Sequence, residues 1–319
     1  IVSSLTEALV SRGHDVHLYA SGDSVTSSIL HSVVEHATLD QPGLTLYLEK
    51  ELEARNAFHL YRDADAFDIV HAHWPVLAPY FASFTRPRTL LTYHYTEPVL
   101  HEFYRREVPN LQPVCVSHRQ AELVGEPDLP VVYNGVDLNR IPFGEVPSDY
   151  LVLVARMVPT KGVVDAIRIA KAAGERLVLI GPITRYLPWS KAFYEEQVLP
   201  HVDGDSVIHI AEAPNQQVLD IVSKAKAFLF PLQWEEPFGL AAVEAMACGT
   251  PVIAYPRGSI PEIVDDGVSG LIIETEQDAI KAVSSVAGLD RRQVRTHVQR
   301  HFTHHRMVAA YEALYRELA

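Results

Sequence analysis

A loop that follows a short apolar run carries two cations suited to phosphate chemistry. The stretch R-M-V-P-T-K-G comes after the run Tyr150 to Ala155 and contributes Arg156 and Lys161 before a helical pattern that begins near Val163. Two cations at a strand end, beside the start of a helix, suit a diphosphate, which requires fixed positive charge together with hydrogen-bond donors. A solvated loop with two ordinary basic residues is the alternative that this stretch alone leaves open.

A second loop, Q-W-E-E-P-F-G, follows the apolar run Ala227 to Pro231. A proline and a glycine break the chain before the helical run Leu240 to Ala247, so Glu236 lies in the loop and Glu244 in the helix. First-turn amides have no intrahelical acceptor and can bind phosphate or sugar hydroxyls. The amides in question belong to Phe238, Gly239 and Leu240. The alternative is that Glu236 only favours the helix start and that Glu244 is an ordinary surface residue.

Histidines and paired aspartates are the remaining candidates for chemistry. His94 follows the apolar run Thr89 to Thr92 and is either a packed residue or a functional one. His71 and His73 share a strand face and could bind zinc, but no third ligand is nearby, so we expect one to line a cleft and the other to pack. Neither Asp-x-Asp pair follows a strand, so we expect no metal at either. These pairs are Asp63 with Asp65 and Asp203 with Asp205.

Short apolar runs that alternate with helical patterns must position these residues. Such alternation predicts parallel α/β sheets, in which ligands bind beyond the carboxyl ends of the strands. The predicted strands of the first half are His14 to Tyr19, Phe67 to His71, Thr89 to Thr92, Pro113 to Val116 and Val131 to Tyr133. Those of the second half are Tyr150 to Ala155, Arg176 to Ile180, Val207 to Ile210, Ala227 to Pro231 and Pro251 to Ala254. The stretch Asn139 to Ser148, with two prolines and a glycine, is the predicted linker.

The chain opens on a helical pattern, Ile1 to Arg12, with no strand before it. In a doubly wound sheet, such a helix normally follows a central strand and its glycine-rich turn. We therefore expect about 20 further residues upstream, enough for one strand and one turn.

Length and charge bound the function. The 319 residues fit about two domains, and 27 Lys and Arg against 40 Asp and Glu give a net charge of −13. Such a chain repels phosphate backbones and anionic lipids, which argues against nucleic-acid binding and strong membrane association. The two cysteines, Cys115 and Cys248, and the lack of an apolar stretch suited to a membrane span or signal peptide predict a cytoplasmic protein.

Together, these motifs resemble the retaining glycosyltransferases of family 4. The motifs are R-M-V-P-T-K-G, E-P-F-G-L-A-A-V-E-A-M-A-C-G-T-P-V-I-A and V-V-Y-N-G-V-D, with D-I-V-H-A-H and L-T-Y-H as weaker matches. The resemblance implies an α/β fold of the GT-B type, in which two Rossmann-like, doubly wound domains face each other across a cleft. Residues 1–143 would bind the acceptor and residues 144–301 the nucleotide sugar. A helix within residues 302–319 would cross back to the first domain.

The resemblance also implies roles for individual residues. The donor diphosphate would be bound by Arg156, Lys161, Gly239 and Leu240, and the ribose hydroxyls by Glu244. The transferred sugar would be bound by Glu236, Phe238 and Gly239, and the catalytic residues would be His94 and Glu236. Departure of the nucleoside diphosphate leaves an oxocarbenium-like sugar and a growing phosphate charge, which cations and a helix N-terminus stabilise.

We therefore predict a retaining hexosyltransferase that is metal-independent and has no cofactor. Its donor would be a nucleoside-diphosphate sugar, expected to be UDP-linked, and its acceptor a hydroxyl of a soluble small molecule or natural product. The alternatives are a lipid- or polysaccharide-directed transferase, a nucleotide-sugar epimerase or hydrolase on the same fold, and a non-catalytic nucleotide-sugar binder. A nicotinamide oxidoreductase is disfavoured, because no G-x-G-x-x-G motif follows a strand in this sequence.

Overall fold

The computed structural model describes residues 1–38, 41, 43–73, 77–184 and 187–319. They form two compact units, residues 1–135 with 304–319 and residues 136–303. The division falls before the predicted linker, because that stretch is bonded to the second unit. Gly144 N donates to Cys248 O at 3.0 Å, and Ser148 N donates to Lys224 O at 2.7 Å. The unit boundary thus lies at residue 135 and not at the expected 143. Prolines and glycines indicate irregular backbone, but they do not show whether that backbone is a linker or packs against one of the units.

The first unit contains short parallel strands with helices between them. Strand β1 (His17–Tyr19) pairs with β2 (Ile29–His31), and β4 (Arg88–Thr92) lies between β3 (Ile69–Ala72) and β5 (Leu111–Val114). The helices are α1 (Val2–Ser11), α2 (Leu46–Arg62), α3 (Ala78–Ala82), α4 (Pro98–Glu107) and α5 (His118–Leu123), with a 3₁₀ turn at Ala64–Ala66.

Apolar residues from both ends of the chain build one face of the first unit's core. Leu5 and Leu9 of α1 pack with Leu90, Val114 and Tyr311, all buried. The last of these belongs to the final helix, His304–Leu318, which is therefore part of the first unit. In the described part of the chain, β1 and β3 are each an edge strand, and both line a cavity of about 740 Å³ together with α1.

The second unit is built on a parallel sheet with the strand order β11-β10-β9-β6-β7-β8. Its strands are β6 (Tyr150–Val154), β7 (Arg176–Ile180), β8 (Val207–Ile210), β9 (Ala227–Phe230), β10 (Val252–Ala254) and β11 (Gly270–Ile272). Helices cover both faces, so the central strands are continuous apolar runs and their side chains are buried.

The helices of the second unit follow its strands in alternation. They are α6 (Val163–Ala173), α7 (Pro188–Phe193), α8 (Asn215–Lys224), α9 (Leu240–Ala247), α10 (Ile260–Ile263), α11 (Glu276–Ser285) and α12 (Arg291–His301), and the final helix of the first unit, His304–Leu318, is α13. Shorter turns are 3₁₀ segments at Pro159–Lys161, Leu199–His201 and Val286–Gly288 and a π-helical segment at Tyr194–Val198.

Several features of the first unit differ from the sequence prediction, which did not include β2. The run Val131 to Tyr133 does not form a strand and contributes an isolated bridge between Cys115 and Val131. Helix α2 was not predicted, because exposed apolar residues at its start, including Leu46 and Tyr47, obscure the amphipathic pattern. Its beginning is marked by Thr45, whose side chain accepts a hydrogen bond from Leu48 N at 3.2 Å.

Candidate active site

The strand order of the second unit places the two predicted loops side by side. From β6 the chain winds outward through β7 and β8, then returns to β9 on the other side of β6 and winds outward through β10 and β11. The direction of winding therefore reverses between β6 and β9. In open α/β sheets this reversal opens a crevice at the carboxyl ends of the two strands, and ligands bind there.

Lys161, Glu236 and Trp234 meet at this crevice. Lys161 Nζ donates to Glu236 Oε2 at 2.5 Å, and Trp234 Nε1 donates to the same oxygen at 2.9 Å. The ammonium also lies 4.5 Å from the centroid of the Trp234 ring, within cation–π range. Both charged side chains are 14% exposed. Both of these donors reach Oε2, and no described residue donates to Oε1 of Glu236, which can therefore accept hydrogen bonds from a ligand.

Glycines allow the loops to approach each other this closely. Gly162 has a φ of +69°, and a Cβ at this position would lie 1.9 Å from Pro231 O. Gly258 has a φ of +59°, and its Cβ would lie 2.2 Å from Glu236 O. Ser259 N donates to the same carbonyl at 3.0 Å. The backbone of Glu236 is therefore held by a neighbouring loop, which fixes the position from which its side chain extends.

Helix α9 begins directly at this site. Its N-cap is Gly239, with a φ of +81°, and Leu240 is its first helical residue. Amides in the first turn have no intrahelical acceptor and carry the positive end of the helix dipole. The Phe238 side chain is 3% exposed and packs edge-on against Phe302 at 6.0 Å between ring centroids. Any contribution of Phe238 to sugar binding must therefore come from its backbone.

Arg156 and Glu244 flank this cluster on the same unit. Arg156 lies two residues beyond β6, is exposed, and forms no ion pair within the described part of the chain. Glu244 lies on α9, where it is half-buried, and burial raises the pKa of its carboxyl. Among the described residues, it likewise has no cation paired with it. A half-buried carboxylate without a protein cation is available to accept hydroxyl hydrogen bonds.

His94 lies in the first unit, just beyond the carboxyl end of β4. Its Nε2 is 3.0 Å from Nδ1 of His73, a hydrogen-bonding distance between the two rings. Burial lowers the pKa of His94 to about 4 and that of His73 to about 3. Both imidazoles are therefore neutral at pH 7, and each has one donor and one acceptor nitrogen.

The Asp-x-Asp pairs have structural contacts of their own. Asp65 accepts a hydrogen bond from Arg86 N at 3.0 Å, and Asp203 accepts from the amides of Asp205 and Val207 at 3.0 Å each. The Ser206 hydroxyl also donates to Asp203. The bond from Ser206, followed by the amide bonds, holds the pKa of the Asp203 carboxyl well below its usual range. Over the described ranges, no three His, Cys, Asp or Glu side chains converge in a way that could hold a metal ion.

Two family models match consecutive parts of this chain. Residues 1–140 match the model described as Glycosyltransferase Family 4, and residues 141–294 match the one described as Glycosyl transferases group 1. The chain belongs to the group 1 and family 4 glycosyltransferases. The predicted family is thereby confirmed.

Known proteins similar to this glycosyltransferase agree with the assignment. A D-inositol 3-phosphate glycosyltransferase from Saccharomonospora viridis is 32% identical over 212 residues, which cover 57% of this chain and 48% of that protein. The matches span less than half the length of each of the first curated relatives.

Solved structures show the same fold along nearly the whole chain. AviGT4, a glycosyltransferase involved in avilamycin A biosynthesis, is 25% identical with a TM-score of 0.71, covering 99% of this chain and 88% of that one. Anabaena HepE in complex with UDP and glucose is 16% identical with a TM-score of 0.78, covering 99% and 95%. The predicted fold class of two Rossmann-like α/β domains is confirmed. No helix among those described has the length and apolar character needed to cross a membrane.

Sequence reasoning about this glycosyltransferase missed the partners of its candidate residues. Trp234 stood two residues from Glu236, but its spacing did not reveal the indole hydrogen bond. His73 was considered with His71 and not with His94, which is 21 positions away. The signal that could have found the second pair is the parallel pairing of β3 with β4, whose carboxyl ends lie at one sheet edge.

Proposed function

We propose that this glycosyltransferase is a retaining, metal-independent hexosyltransferase. Its donor is a UDP-linked sugar, and its acceptor is a hydroxyl group of a soluble small molecule. The observation that carries the proposal is the contact of Lys161 with Glu236 beside the start of α9, at the reversal point of the second unit's sheet. Fixed positive charge, free helix amides and a carboxylate oxygen are the groups that a nucleoside diphosphate joined to a sugar requires.

Each group has a separate role in the proposed reaction. Lys161 and Arg156 stabilise the negative charge that grows on the diphosphate as the glycosidic bond breaks, with help from the amides of Gly239 and Leu240. Oε1 of Glu236 accepts a hydrogen bond from a hydroxyl of the transferred hexose. Glu244 accepts hydrogen bonds from the ribose. His94 is the catalytic residue that we assign to the first unit.

The comparisons support the choice of donor and acceptor. HepE, which shares the fold, is described in complex with UDP and glucose. The relative from Saccharomonospora is described as acting on D-inositol 3-phosphate, and AviGT4 is described as involved in avilamycin A biosynthesis. Both descriptions favour a small polyol or natural-product acceptor. The net charge of −13 also disfavours an anionic lipid surface.

Nucleotide binding in the presence of EDTA tests the donor site. Thermal unfolding is measured with UDP, GDP, ADP, dTDP and NAD at one common concentration, since a ligand present at about 100 times its dissociation constant stabilises the folded protein by about 2.7 kcal/mol. We expect a shift with UDP and none with NAD. A loss of the UDP shift in EDTA would overturn metal independence, and a shift with NAD alone would overturn the donor assignment.

Transfer itself requires an acceptor screen with UDP-hexoses. We expect a glycosylated product whose anomeric configuration, read by NMR coupling constants, is the same as that of the donor. Release of free hexose that no acceptor accelerates would favour a hydrolase instead.

A further inference from the structure

Three imidazoles stand in a row at the carboxyl ends of β3 and β4 in the first unit. The ring centroids of His71 and His73 are 4.1 Å apart, and those of His73 and His94 are 5.3 Å apart with the rings nearly parallel at 17°. His73 is therefore packed against His71 and hydrogen-bonded to His94. Our assignment of His94 as catalytic does not by itself account for the other two rings.

The row is anchored at its buried end. His71 Nδ1 lies 2.6 Å from Tyr315 Oη, and His71 Nε2 lies 2.8 Å from Thr92 Oγ1. The Thr92 hydroxyl is in turn 2.8 Å from Tyr311 Oη. Both ring nitrogens of His71 are thus engaged, by a strand on one side and by α13 on the other. A ring held at both nitrogens gives His73 a rigid surface to pack against.

The contact between His73 and His94 couples the protons of the two rings. One hydrogen lies on the line between His73 Nδ1 and His94 Nε2, since a hydrogen bond between neutral imidazoles needs one donor and one acceptor. If His73 donates, Nδ1 of His94 carries the proton of that ring, and if His94 donates, its Nδ1 is unprotonated. The bond also limits rotation of the His94 ring.

We propose that His73 is a positioning residue that fixes the ring orientation and tautomer of His94 through the hydrogen bond between its Nδ1 and His94 Nε2. The inference rests on the proposed function, in which His94 is catalytic. His73 itself does not contact the substrate in this proposal. Its effect on the rate is therefore indirect and is expected in kcat, not in donor binding.

Two substitutions of similar branched shape separate positioning from packing. His73→Asn places an amide atom where Nδ1 stands, two bonds from Cβ, and so retains the hydrogen bond to His94. His73→Leu has the same number and branching of side-chain heavy atoms as asparagine but cannot form the bond. Because misplacing a catalytic group by about 1 Å costs roughly 100-fold in rate, we expect His73→Leu to lower kcat by about 10- to 100-fold. The KM for the UDP-sugar should stay unchanged, and His73→Asn should restore most of the rate.

The full-length protein labelled with ¹⁵N-histidine provides a readout that does not depend on activity. Ring ¹⁵N shifts report the tautomer, and the His94 signals are identified by their loss in His94→Ala. We expect one dominant His94 tautomer in the wild type and in His73→Asn, and averaged signals in His73→Leu.

Equal kcat in all three proteins, or unchanged His94 signals in His73→Leu, would overturn the proposal. Equal loss of rate in both variants with unchanged unfolding midpoints would also overturn it. If the wild type transfers no hexose, the proposed function fails, while the ¹⁵N shifts still decide whether His73 sets the state of His94.

Discussion

At the residue scale, the candidate donor site depends on one short contact between opposite charges. Lys161 and Glu236 are 75 positions apart, and each is largely shielded from water. A shielded charge is costly unless it is paired, so each stabilises the other until a ligand supplies a new partner. Trp234 donates to the same carboxylate oxygen and lies beside the ammonium, which restricts both groups further. The site is therefore organised before any nucleotide binds.

Replacing Lys161 with alanine tests this charge directly. The variant loses one charge-assisted hydrogen bond to the diphosphate, so we expect UDP binding to weaken by roughly 1.5–3 kcal/mol. Isothermal titration of UDP against wild type and variant measures the difference. Lys281→Ala is the matched control, since that lysine is 76% exposed and pairs with Asp278 on α11. An unchanged dissociation constant for Lys161→Ala would contradict the assignment of Lys161 to the diphosphate.

At the element scale, an arginine of α12 joins four pieces of the second unit. Arg291 is 8% exposed and donates to Gly144 O, Ser223 O, Ala225 O and Thr250 Oγ1 at 2.5 to 2.9 Å. Burial lowers the pKa of its guanidinium. The four acceptors offset the cost of burial because they accept hydrogen bonds from the N–H groups of that guanidinium. The carbonyls lie at the end of α8 and in the stretch predicted as a linker, which explains why that stretch belongs to the second unit.

Arg291→Leu is expected to destabilise the second unit strongly. It leaves buried carbonyls without donors, at a cost of about 1–3 kcal/mol for each group left unsatisfied. We therefore expect a clear fall in the denaturant midpoint of the second unit's transition, followed by tryptophan fluorescence. Arg292→Ala, at the neighbouring exposed position, should leave the midpoint nearly unchanged. Equal midpoints for both variants would show that the Arg291 contacts are not important for stability.

At the scale of the whole molecule, the two ends of the chain contact each other within the first unit. Arg12, which follows α1, donates two hydrogen bonds to Glu312 of α13, at 2.7 and 2.6 Å, and His14 Nε2 lies 2.9 Å from the same carboxylate. The Glu312 side chain is 6% exposed. The Arg12 side chain, followed by that of His14, lowers the pKa of Glu312 from 4.5 to about 2. The ionised carboxylate therefore holds α13 against α1.

This contact predicts an acid-dependent loss of stability. The pKa of Glu312 is lower in the folded state, so its contribution is complete above about pH 4.5 and is lost as the pH falls through about 2. Glu312→Gln should therefore melt roughly 3 °C below the wild type at pH 7, and the difference should shrink between pH 4.5 and 2. Calorimetry across this range measures it, with the exposed Glu317→Gln as control. A difference that stays constant with pH would contradict the ionic role.

The sequence by itself determined many of the elements, and it determined the family. Strands such as Arg176 to Ile180 and Val207 to Ile210 have their predicted bounds, as does the helix Leu240 to Ala247, because continuous apolar runs and glycine or proline breaks are local signals. The same local spacing identified Lys161 and Glu236 as candidates. It also indicated the α/β class, since strand and helix alternate along the chain.

The tertiary structure alone decided which of these residues meet. Lys161 contacts Glu236 because the sheet order places β9 beside β6, and neither loop encodes that neighbour. His71 reaches Tyr315 across 244 positions because the chain returns to the first unit after completing the second. Local patterns reflect the preferences of adjacent residues, whereas such contacts depend on strand order and chain path. The geometry of the site is for that reason a property of the fold and not of its motifs.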